Sequence, residues 1–116
     1  MAIPLVLVVV ADRAARDGGG GVWKESFWER TWADSRGIEE DAVREGRSIL
    51  RAAASGGFEA RAGIHLGGAD PAAAALALAA AAPPGALWIS KAVERLVPRR
   101  FRFHEQPVLE VGREAV

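Results

Sequence analysis

A chain of 116 residues has room for one domain of ordinary size. Its 15 basic and 15 acidic side chains cancel, which argues against nucleic acid or an anionic membrane as partner. No cysteine is present, so disulfides, thiolate metal sites and cysteine nucleophiles are excluded.

Half the residues are hydrophobic and 26% are charged, the composition of a globular domain. Only 2 histidines remain for acid-base or ligand work, so no metal site is expected. The 24 alanines, and 13 arginines against 2 lysines, reflect a GC-rich coding background rather than a function. Ile3 to Val10 is apolar but too short to span a bilayer, and nothing basic precedes it. The chain therefore reads as soluble and cytoplasmic.

Leu5 to Val10 is a continuous aliphatic run rich in β-branched valine, the pattern of a strand buried on both faces. Asp12 lies just past its end. Gly18 to Gly21 form a loop, and no G-K-[ST] follows to make it a phosphate cradle. Val22 to Ala33, with Trp23, Phe27, Trp28 and Trp32, predicts a hairpin. Ser35 is the expected N-cap of an amphipathic helix, with Glu39, Glu40 and Asp41 suiting the dipole in its opening turns. Ile38, Ala42, Val43, Gly46, Ile49, Leu50 and Ala53 recur at three- and four-residue steps. Gly46 on that stripe permits close approach to a sheet, and Gly56-Gly57 ends the helix.

Phe58 to Leu66 reads as a strand stopped by Gly67-Gly68. Asp70 can cap a second helix with Pro71 in its first turn, running to Ala82 before Pro83-Pro84-Gly85. Ala86 to Ser90 predicts a short strand, and Ser90 a cap for a brief helix, Lys91 to Val97. Phe101 to His104 and Val108 to Val111 predict two more strands. His65 reads as a packed structural histidine, and His104 and the Arg99, Arg100, Arg102 cluster as solvated edges. The order predicts a single α+β domain over residues 1–116, with helices packed on a mainly antiparallel sheet close to a ferredoxin-like plan.

Arg61-Ala62-Gly63-Ile64-His65-Leu66-Gly67 matches R-x-G-I-H-x-G, a strand of the class III adenylate/guanylate (nucleotidyl) cyclase catalytic domain. Leu76 to Ser90 resembles the alanine-rich helix, A-x-P-G break and short strand of that family, and Lys91 to Phe103 its following helix and F-x-F strand. Val22-Trp23-Lys24-Glu25-Ser26 resembles the family's V-V-K-x-T, Glu40 to Ala53 its next helix, and Val6 to Asp12 its first strand. The resemblance touches nearly the whole chain.

That resemblance implies a site this chain has lost. The family's metal ions are held by a pair of aspartates. Asp12 matches the first, but Trp28 stands at the second, and tryptophan cannot ligate a metal. Glu25 and Glu29 alternate to the other side of the hairpin. Ala73 and Ala77 stand where the family carries an asparagine and an arginine for ribose and transition-state charge. Losing one such donor costs on the order of hundredfold in rate. Lys24 matches the purine-reading lysine, leaving Asp12 and Lys24 as vestiges of a site with no cofactor. The two helices between the family's first and second strands are also missing.

The expectation is a shortened, catalytically inactive cyclase-homology domain that forms a homodimer or binds a partner protein in signalling. Bare sheet left by the missing helices would expose apolar surface, with Trp23, Trp28 and Trp32 as interface candidates. The alternatives are residual cyclase or purine-nucleotide binding, and an unrelated small α+β domain.

Overall fold

The structure is a computed structural model that describes residues 2–11, 22–23 and 27–96. Asp12, the glycine run, Lys24, Glu25, the arginine cluster, His104 and both C-terminal strand predictions lie outside the described residues.

The chain forms a small α+β domain with a mixed sheet and packed helices. In chain order come β1 (Leu5–Ala11), β2 (Val22–Trp23), β3 (Phe27–Trp32), α1 (Glu39–Ser55), β4 (Ala60–Leu66), α2 (Pro71–Ala81), β5 (Leu87–Ile89) and α3 (Lys91–Glu94). The strands lie in the order β2-β3-β1-β4-β5. Three of the pairings are antiparallel, while β4 and β5 run parallel with α2 as the crossover between them.

The apolar run of β1 puts it in the middle of this sheet. Leu5 to Val9 are all buried, because β3 and β4 flank the strand and a helix covers each face. Leu5, Leu7 and Val9 face α1, in the larger core with Trp28, Val43, Ala62 and Ile64. Val6 and Val8 face the other way, against Ala75 and Ala79 of α2. Helices on both faces thus explain why β1 lacks the polar alternation of a half-exposed strand.

α1 starts later than its sequence predicts. Ser35 is no cap: Ile38 holds that position without a side-chain bond. Gly37, at φ 77°, takes a left-handed turn that interrupts the helical path from Ser35. Ser35 is instead buried, its N–H donating to the Ile3 carbonyl at 2.8 Å and its own carbonyl accepting from the Ile38 N–H at 2.9 Å. Asp34 grips Arg36 across the same turn, with Nη2 to Oδ2 at 2.6 Å. The Arg36 hydrogen bonds hold the Asp34 carboxyl below its ordinary range, so it stays ionised to lower pH. Being exposed, this pair contributes little to stability.

The far end of α1 stops where expected. Gly57, at φ 81°, donates to the Ala54 carbonyl and Phe58 to the Ala53 carbonyl, the paired bonds of a Schellman cap. That cap consumes Phe58, which is exposed, so β4 begins at Ala60 rather than at Phe58. Within α1, Gly46 sits over Leu7 and Leu87: a Cβ there would lie 3.3 Å from a methyl of each.

α2 follows its signals closely. Asp70 accepts from the Ala73 N–H at 3.0 Å, and Pro71 occupies the first turn, where its missing N–H costs nothing. Asp70→Ala is expected to cost about 1 kcal/mol, read as a lower urea midpoint at unchanged slope; no shift would show that the cap is idle. α3 is shorter than predicted, ending at Glu94, and Ser90 holds its N-cap position as expected. Ser90 makes no side-chain cap bond, and its Oγ is fully buried with no hydrogen-bond partner among the described residues.

Candidate functional site

Of the predicted site residues, Trp28 and Trp32 are those with described side chains. Asp12 and Lys24 lie outside the described residues. Among the described residues, no group of three or more His, Asp or Glu side chains could hold a metal ion. No described helix is long and apolar enough to cross a membrane.

Trp28 departs most from expectation. It pairs with Val9 of β1, which points both side chains to the α1 face of the sheet. There its indole is 1% exposed and is the largest fully buried side chain among the described residues. It is therefore not an anchor offered to a partner. An aromatic ring at this register position fills core volume that a solvated carboxylate could not.

Two further interface candidates lie on the same hairpin. Trp23 pairs in register with Trp28. Trp32 is half-buried against the α1-side core, with the Arg30 guanidinium 4.5 Å from its ring centroid. Arg30 also pairs with Glu45 of α1. The ion pair ties β3 to α1, and the cation–π contact holds the guanidinium over Trp32 of the same strand. The sequence reading missed this tie, although Arg30 and Trp32, two apart on a strand, necessarily share a face.

The α2 face is built on absence of side chains. Gly63 of β4 lies directly beneath the helix: a Cβ added there would stand 2.3 Å from the Ala75 carbonyl oxygen and 2.6 Å from the Ala79 nitrogen. Helix backbone rests on strand backbone at this point. Ala74, Ala75, Leu78 and Ala79 are buried beneath α2, and Leu76 is half-buried. Close packing through small side chains describes this contact, with Leu78 and the half-buried Leu76 supplying bulk. A lone glycine inside a strand was its sequence signal.

The outer side of α2 carries the positions where the cyclase resemblance demands an asparagine and an arginine. Ala73 and Ala77 are both exposed, and Ala80 and Ala81 continue the same helical stripe. α2 contains no charged or polar side chain at all. A helix apolar on every side is ordinarily buried on every side. This one is covered on its inner side only.

His65, on the α2 side of β4, is 4% exposed, as a packed structural histidine should be. In the parallel register it stands level with Ser90, one step beyond the Ile64–Ile89 pair. Neither opens to solvent.

Neither the sequence patterns of known protein families nor the curated proteins include a match to this chain.

Proposed function

We propose that this chain is a non-catalytic interaction module, a shortened cyclase-homology domain that associates through the outer face of α2. The observation that carries this reading is that face: a solvent-exposed stripe of Ala73, Ala77, Ala80 and Ala81 without one polar side chain. Exposed helix positions are ordinarily filled with charge, and contiguous apolar surface on a small protein marks a contact.

The fold supports the finer assignment. The order β2-β3-β1-β4, with β1 antiparallel to both neighbours, is the strand order of a ferredoxin-like sheet. The parallel β5 and the crossover helix α2 extend that plan. The residues also favour association over chemistry. Trp28 fills the core where a metal aspartate would stand, and Ala73 and Ala77 offer no hydrogen-bonding group.

Size sets the character of the contact. An 11-residue helix is about 16 Å long and presents roughly 200 Å² on one side, against about 800 Å² per partner in a standard interface. The contact extends beyond the helix, onto surface such as the exposed Pro83 and Pro84. Association is accordingly concentration-dependent.

Light scattering at tens of micromolar should give a mass twice that of one chain. Ala77→Arg should return it to one chain while stability changes by no more than about 0.5 kcal/mol, since the position is exposed. A wild-type chain that stays monomeric would overturn self-association. A dimer untouched by Ala77→Arg would move the contact away from α2. With ATP or GTP and manganese, cyclic nucleotide should form no faster than without protein; formation above that control would overturn the non-catalytic reading.

A further inference from the structure

We draw no further inference here: the strongest candidate, the α2-side face of β3 beyond Phe27, where Glu29 is half-buried and Thr31 exposed, adjoins no described helix, and nothing in the structure shows what covers it.

Discussion

Gly63→Val should destabilise the domain more than any other single-residue change on the α2 side of the sheet. Even the first added carbon meets backbone: the Ala75 carbonyl oxygen at 2.3 Å, the Ala79 nitrogen at 2.6 Å and the Leu78 Cβ at 2.8 Å. None of these is the free end of a flexible side chain, so α2 must lift from β4 as a unit. Lifting would open the contacts of Ala75 and Ala79 with Val6 and Val8. Overpacking a core typically costs 1–3 kcal/mol, and a backbone clash exceeds that range, so a loss of at least about 3 kcal/mol is expected. Against a total of about 5–15 kcal/mol, this leaves a marginal fold. Gly46→Ala is the matched control. Its Cβ would meet leucine methyls at 3.3 Å, which can shift, and alanine gains about 1 kcal/mol of helix propensity over glycine. Urea unfolding of both variants reads the contrast directly. Equal midpoints would show that α2 does not lie on Gly63.

Trp28→Ala should cost about 3–5 kcal/mol, the usual range for deleting a large buried aromatic side chain. Trp28→Asp should cost more, because the site would then hold an unpaired carboxylate among Leu7, Val9 and Ala62. The expected reading is a strongly lowered urea midpoint for alanine and loss of the cooperative transition for aspartate. Cyclic nucleotide should not appear with either variant. The two roles considered for this tryptophan separate cleanly here. An interface anchor would lose association and keep its fold, whereas a core residue loses the fold itself. A Trp28→Ala protein of unchanged stability would return the residue to the surface.

Several elements were legible because their signals are local. The continuous aliphatic run of β1 carries no polar alternation, so burial on both faces followed from residue type alone. The stripe on α1, with Gly46 within it, and the Asp70-Pro71 start of α2 were equally direct. Capping and periodicity depend on neighbours a few residues apart, and the sequence contains those neighbours. Where two local signals competed, the reading failed. Ser35 has the chemistry of an N-cap, but Gly37 turned the chain and drew Ser35 into a bond with Ile3. Phe58 suits a strand, yet the glycine cap of α1 claimed its N–H first. Ser90 does take the cap position of α3, but its hydroxyl is buried and makes no cap bond.

The candidate site was less legible for a different reason. The sequence determined which residue types are missing, since Trp28, Ala73 and Ala77 cannot ligate metal, and the two alanines cannot donate to a ligand, wherever they lie. It also fixed that α2 is uncharged. Which side of the sheet each of these residues occupies was decided only by tertiary structure. The face of a strand residue depends on register, and a shift of one position reverses every side chain. Pairing of Val9 with Trp28 put the indole into the α1-side core, and docking of α2 on Gly63 turned Ala73 and Ala77 outward. Among the described residues, apolar surface is accordingly left exposed along the alanine helix, while Trp28 is buried. Large aromatic rings bury enough area to claim the interior first, and alanine, with little to gain from burial, is what remains outside.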